Sequence, residues 1–215
     1  KSLAELSMAV DAGVGHVVVD SFDEIERLGA IAVEQKKVVP VLVRVTPGVE
    51  AHTHEFIETG TEISKFGFTI SEGVAINALN RVHENPSLDL RGVHCHIGSQ
   101  IYRLDAFSRA INRLAELALA ARNQYGIIFS IRNLGGGLGA RYLSEDPQIS
   151  ITAYSQVLHD SVATAWEASD LGDIPAIMVE PGRSIAAPSA ITLYRVGTIK
   201  EIPGVGTYVA VDGGM

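Results

Sequence analysis

Short apolar runs alternate with longer stretches of mixed character along this chain. Val17–Asp20, Val41–Val45, Gly92–Ile97, Ser130–Leu134 and Ala176–Val179 are rich in Val, Ile and Leu and nearly continuous in hydrophobicity. That is the pattern of strands buried on both faces. Between them lie stretches that read as helices: Lys1–Ala12, Asp23–Gln35, Ser71–His83, Asp105–Gln124 and Ile151–Ala168. Ser71 and Asp105 stand where N-caps are expected. A repeating β–α order predicts an α/β fold with a parallel sheet. Residues 191–202 and 207–211 have a different rhythm, two strands with no helix between them.

Composition narrows the class. A hydrophobic content of 47% over 215 residues and a mean hydropathy of +0.20 suit strands covered on both faces. The net charge of −8 argues against nucleic acid and anionic membrane as partners. No apolar run is long enough to span a bilayer. The single cysteine, Cys95, excludes an internal disulfide and suits a reducing cytoplasm.

Chemistry-bearing residues gather where the apolar runs end. Gly135-Gly136-Gly137-Leu138-Gly139 closes one run and Glu180-Pro181-Gly182-Arg183 closes another. A Gly-rich loop lets backbone N–H groups approach a phosphate closely, because no Cβ intervenes. Arg183 can add a charged donor to a phosphate or a carboxylate. Glu180 would repel a phosphate, so its expected partner is a cation or a protonated nitrogen. Phosphate at one end and a protonated ring nitrogen at the other outline pyridoxal 5′-phosphate. In His94-Cys95-His96-Ile97-Gly98-Ser99-Gln100, alternation puts His94 and His96 on one face and Cys95 on the other. His96 is placed to lie against an aromatic cofactor, and the Ser99 hydroxyl to reach a phosphate. A zinc reading of His94 and His96, with His52 and His54 drafted as further ligands, fits no recognised spacing. Asp20-Ser21, Arg44, His96–Ser99, Gly135–Gly139 and Glu180–Arg183 all lie at C-terminal strand ends. In a (β/α)8 barrel such ends form one rim around one site, whereas an open sheet would leave some of them far from it.

Taken together, these segments resemble the fold-type III pyridoxal-phosphate decarboxylases. The matching runs are Val41–Val45 with Pro47-Gly48-Val49, Ser64-Lys65-Phe66-Gly67-Phe68, Gly92–Gln100, Asn133–Gly139, Val179–Ser184 and Val209–Met215, in the family's order over nearly the whole chain. The wording of His94–Gln100 and of Val211-Asp212-Gly213-Gly214-Met215 favours the family's diaminopimelate branch, which turns meso-2,6-diaminopimelate into L-lysine and CO2, over the ornithine, arginine and carboxynorspermidine branches. The resemblance implies an alanine-racemase-like TIM barrel over residues 1–187, about five of its eight strands being present, and the start of a C-terminal β-domain over 188–215. It implies Glu180 at the pyridine nitrogen, His96 on the ring face, and Arg44, Ser99, Gly135, Gly136, Gly137, Pro181, Gly182 and Arg183 around the cofactor. Arg183 is also a candidate for the substrate carboxylate, and no metal is expected.

The same resemblance carries expectations about the whole enzyme. The chain opens in a helical pattern without Met and stops in a Gly-Gly turn, so it is expected to be an internal piece of a longer protein. The lysine that holds the cofactor covalently in that family, and most of the second domain, would then lie outside it. Family members act on a small-molecule amino acid and are homodimers whose sites the partner completes. A non-catalytic relative of the antizyme-inhibitor kind is the competing class. Retention of Glu180, Arg183, His96 and the glycines argues against it.

Overall fold

The structure is a computed structural model and describes residues 1–49 and 65–214. Six strands form one parallel sheet: β1 (Val17–Val19), β2 (Val39–Thr46), β3 (Phe68–Thr69), β4 (Leu88–His94), β5 (Ile131–Asn133) and β6 (Ala176–Met178). The order is β1-β2-β4-β5-β6, with β3 paired to the C-terminal end of β2. Helices α1 (Leu3–Ala12), α2 (Phe22–Glu34), α3 (Val74–His83), α4 (Asp105–Tyr125) and α5 (Ile151–Ala168) alternate with these strands. A short α6 (Arg183–Ala186) follows, then an antiparallel hairpin of β7 (Val196–Ile202) and β8 (Gly206–Val211). Among the described residues no helix is long and apolar enough to cross a membrane.

The helices dock one apolar stripe each onto the sheet. Leu79 and Val82 of α3, Phe107, Ile111 and Leu114 of α4, and Leu158 and Val162 of α5 are all buried with Val41, Val43, Val93 and Cys95. Each such side chain contributes roughly 1.5–3 kcal/mol when removed from water. Cys95 is thus a core residue, as its alternation predicts. The hairpin is different: Val196, Ile199, Tyr208, Val209 and Val211 are exposed.

The five expected strands are those of the sheet's path, and a sixth, β3, two residues long and too short to show a period, pairs with β2 off that path. Three local expectations need correction. Strand β4 begins at Leu88 and ends at His94, because Asp89 and Arg91 pair with each other at 2.6 Å on its outer side and break the apolar pattern there. Helix α3 starts at Val74 with Gly73 at the N-cap, while the Ser71 hydroxyl meets that of Thr69 at 2.8 Å. Asp105 is the first residue of α4 rather than its cap, and its carboxylate ties Arg103 and Arg109.

The sheet is irregular at one point and carries one buried charge. Between β2 and β4 the register slips: Val41 pairs with Leu90, but Leu42 pairs with Gly92. Arg91 is the extra residue of a β-bulge. Without it, Val93 rather than His94 would lie level with Arg44, and the face of every later residue would invert. Gly92 sits at φ 149°, and a Cβ there would run into the Ile131 carbonyl. The buried charge is Arg132 of β5, set against the helix layer. Its guanidinium stacks on Trp166, 3.6 Å from the ring centroid, and none of its side-chain nitrogens has a hydrogen-bond partner among the described residues. Burial pushes its pKa down from the ordinary arginine range to about 9. A cation held less readily in the folded than in the unfolded state is a cost at every pH below about 9, relieved as pH rises from there toward the ordinary arginine range.

Gly92→Ala is expected to lower unfolding stability by about 3 kcal/mol or more, as read by urea denaturation of the full-length protein. Arg132→Met keeps the bulk and removes the unpaired charge, and is expected to raise stability by about 1–4 kcal/mol at neutral pH. A fall in stability for that variant would mean that the guanidinium has a polar partner.

Candidate active site

The register after the bulge sets one residue from each of four strands side by side: Arg44 pairs with His94, His94 with Asn133, and Asn133 with Met178. Paired residues of parallel strands share a face. His96 and Glu180 stand two residues further on along the same face. The ladder continues past β4, with the Cys95 N–H donating to Asn133 O at 2.9 Å and the Glu180 N–H to Gly135 O at 2.8 Å.

Glu180 is the charged centre of this face. Its Oε1 accepts from Asn133 Nδ2 at 2.8 Å, and His94 Nε2 lies 3.3 Å from Oε1 and 3.4 Å from Oε2. Its side chain is half exposed, whereas that of His94 is buried. Partial burial pushes the Glu180 carboxyl up, but His94 and the Asn133 hydrogen bond outweigh this and hold it below its ordinary value. Burial lowers the His94 pKa in spite of Glu180. The pair at neutral pH is therefore an ionised Glu180 with a neutral His94 donating from Nε2. His94 Nδ1, buried and without a described partner, is then the unprotonated nitrogen. His94 is buried, and it is also a partner of the carboxylate.

His96 is partly buried, and burial first, then Arg44 and His94, lower its pKa. Its Nδ1 accepts the Gly136 N–H at 3.2 Å, which fixes a neutral imidazole with the proton on Nε2. His94 and His96 are thus each engaged with protein groups, while His52 and His54 lie outside the described residues. Asp20 does not cap the helix after it. Ser21 does, accepting from the Glu24 N–H, and Asp20 Oδ1 instead takes the Gly67 N–H. Arg44 lies over the Phe66 ring, 4.6 Å from its centroid.

The Gly-rich loop runs from Gly135 to Ala140, with Gly135 at φ 67° and Gly137 at φ 105°. Most of its N–H groups are already used. Gly135 donates to Asn133 Oδ1 at 2.9 Å, Gly136 to His96, Gly139 to Ile101 O at 2.9 Å, and Ala140 to Gln100 Oε1 at 2.8 Å. Two of the three glycine N–H groups expected to meet a phosphate are therefore engaged. Those of Gly137 and Leu138 have no acceptor among the described residues. Ser99 is half-buried beside Gly98, whose carbonyl abuts Gly137. At the other strand end, the Gly182 N–H donates to Glu180 O at 2.9 Å and Arg183 Nη1 to the Tyr142 hydroxyl at 2.9 Å. A cavity of about 350 Å³ touches Gly136–Leu138 and Pro181–Ser184 but opens on the opposite face of β6, between Ile177, Val179, Tyr154 and Leu158. Its apolar walls belong to the seam between sheet and helix.

Asn133, Tyr142 and Gln100 join the site without being site candidates in the sequence. Asn133 had a readable signal, a polar residue closing an apolar run directly before the glycines. Tyr142 and Gln100 had none, because contacts between loops follow no period. Pyridoxal phosphate fits this arrangement. An ionised carboxylate with an open edge suits the ring nitrogen, a neutral imidazole suits the ring, and a turn with two N–H groups that lack a described acceptor suits the phosphate.

Comparison with known proteins agrees with that geometry. Residues 1–187 match the family model for the pyridoxal-dependent decarboxylases, pyridoxal binding domain. Over its whole length the chain is 44% identical to the diaminopimelate decarboxylase of Bacillus subtilis and 47% identical to that of Mycobacterium bovis, covering 49% and 50% of those proteins. It thus spans about half the length of the curated relatives it matches. A solved diaminopimelate decarboxylase from M. jannaschii in complex with L-lysine superposes with a TM-score of 0.83 at 30% identity, over 100% of this chain and 48% of that one. The six-stranded parallel sheet and its alternating helices are accordingly those of a pyridoxal-binding domain, and the chain belongs to the pyridoxal-dependent decarboxylases.

Proposed function

We propose that this chain is the larger part of the cofactor-binding barrel of a diaminopimelate decarboxylase, which releases CO2 from meso-2,6-diaminopimelate and yields L-lysine. The observation that carries the chemistry is the Glu180 carboxylate, ionised and oriented by two neutral donors on the face that the Gly-rich loop closes. The observation that favours this substrate is the whole-chain identity to enzymes of that name. A solved relative holds L-lysine, the product of that reaction.

In this reading the cofactor, when bound, supplies an electron sink for the charge left at Cα by departing CO2. The protein's part is positional and electrostatic. Glu180 keeps a proton on the pyridine nitrogen by charge pairing. The neutral His96 imidazole lies against the ring. Gly137 and Leu138, with Ser99 and the Gly135–Gly136 backbone, surround the phosphate, and Pro181 and Gly182 shape the wall beside it. Arg183, steered by Tyr142, serves the phosphate or the substrate carboxylate, and Arg44 adds positive charge on the same face.

The longer enzyme would close an eight-stranded barrel by adding three strands between the open edges of β1 and β6, one of them bearing the lysine that holds the cofactor. Residues 1–187 would belong to the barrel and 188–215 to a β-domain whose remaining strands cover the exposed face of the β7–β8 hairpin. Such an enzyme would be a cytoplasmic homodimer.

The full-length protein is expected to release CO2 from diaminopimelate and much less from ornithine or arginine; no CO2 from diaminopimelate would sink this substrate assignment. Glu180→Gln is expected to lower kcat by roughly 10²-fold or more, because an amide cannot hold a full positive charge on the ring nitrogen. Phosphate contacts persist, so cofactor affinity should change little, as measured by titration of the stripped enzyme. Mixing Glu180→Gln subunits with subunits damaged only in the second domain should restore part of the activity, since one site of each mixed dimer is intact. Absence of rescue, with exchange confirmed by mass spectrometry, would mean that each site comes from one chain.

A further inference from the structure

The loop after β4 and the Gly-rich loop are joined along their length. The Ile101 N–H donates to Gly137 O at 2.9 Å and the Gly139 N–H returns to Ile101 O at 2.9 Å, making a parallel bridge between Ile101 and Leu138. Gln100 extends this bridge with a side chain. Its Oε1 accepts the Ala140 N–H at 2.8 Å and its Nε2 donates to Ala140 O at 3.1 Å. Both polar groups of one backbone residue are thus answered by one amide, as a neighbouring strand would answer them. The second proton of Nε2 goes to the Tyr102 hydroxyl at 3.0 Å, and that hydroxyl donates to Ala140 O at 2.9 Å. The amide oxygen and both amide protons are therefore engaged.

Two further observations show what this arrangement demands of the chain. Gln100 sits at φ 58°, in the left-handed region that a residue with a Cβ seldom enters. The backbone accepts that conformation where it aims the amide at Ala140. The Tyr102 ring packs against Gly139, where a Cβ would stand 2.7 Å from a ring carbon. The turn between these fixed points holds Gly137 and Leu138, whose N–H groups have no described acceptor.

We propose that Gln100 and Tyr102 form a clamp that holds the Gly-rich turn in its anion-receiving shape before a ligand arrives, so that affinity for the cofactor's phosphate depends on two side chains that do not touch it. The proposal rests on reading Gly137 and Leu138 as the phosphate cradle. A run of glycines has wide backbone freedom and no side chain with which to fix itself. Without the clamp it would visit the receiving shape only part of the time. Apparent affinity falls in proportion to that fraction. Gln100 and Tyr102 are therefore positioning residues.

The test uses full-length enzyme stripped of cofactor and titrated with pyridoxal phosphate, with pyridoxal, which lacks the phosphate, and with inorganic phosphate as competitor, read by the cofactor's absorbance. Gln100→Met, which keeps the bulk and removes every hydrogen bond of the amide, is expected to raise the Kd for pyridoxal phosphate by roughly tenfold, as a drop of the competent fraction to about a tenth requires. Tyr102→Phe keeps the ring on Gly139 and is expected to show a smaller rise in the same direction. It stands as the test if Gln100→Met does not fold. Pyridoxal affinity should not move in either variant. Equal loss for both ligands would assign the pair a general structural role, and no loss for either would remove the clamp; each overturns the proposal. If unaltered enzyme binds pyridoxal as tightly as pyridoxal phosphate, and inorganic phosphate does not compete, the cradle reading itself fails, whatever the variants do.

Discussion

One extra residue in β4 decides which side chains meet. Side chains alternate strictly along a strand, so a single-residue slip moves a whole set from one face to the other. The bulge at Arg91–Gly92 makes that slip once, between Leu90 and Gly92. It puts His94 level with Arg44 and Asn133, Cys95 in the core, and His96 beside Gly136. Gly92 is required there because neighbouring backbone occupies the place of a Cβ. The face around Glu180 thus depends on a backbone irregularity that carries none of its side chains.

The carboxylate at the centre of that face is held by neutral groups. A lysine or arginine in the place of His94 would neutralise Glu180 and compete with a protonated ring nitrogen for it. Asn133 and a neutral His94 orient the charge without consuming it. Burial is what keeps His94 neutral, because its charged form would lose more hydration than a half-exposed carboxylate gives back. Asn133 has a second duty. Its Oδ1 takes the Gly135 N–H while its Nδ2 serves Glu180, so one amide couples the carboxylate to the start of the Gly-rich loop.

Much of the fold is legible in the sequence because it is periodic. The long strands and the helices announce themselves by apolar spacing, and the glycine and Glu-Pro-Gly-Arg runs stand out by composition. What stays hidden has no period. Strand β3 spans two residues, and the bulge looks like two polar residues where a strand begins. The N-cap of α3 falls to Gly73 because Ser71 finds a closer partner in Thr69. Arg132 interrupts an apolar run, and no spacing announces that it is fully buried and stacked on Trp166, far along the chain. Gln100 and Tyr102 carry no readable signal of their roles, since their partner lies 40 and 38 residues away in the chain.

Hydrogen-bond satisfaction explains how a turn almost without side chains can be specific. Backbone N–H groups in a buried or ligand-facing turn must find acceptors, and those that find none define where an anion can go. From Gly135 to Ala140 the acceptors come in sequence from Asn133, His96, Ile101 and Gln100, with a gap at Gly137 and Leu138. These acceptors stand on different supports: a strand, the rim above β4, and the loop beyond it. Removing one would leave its N–H to reorient, and the gap would lose its definition before it lost its chemistry. In the proposed phosphate cradle, recognition is therefore distributed over neighbouring acceptors, and the glycines contribute chiefly the room in which those neighbours can impose one shape.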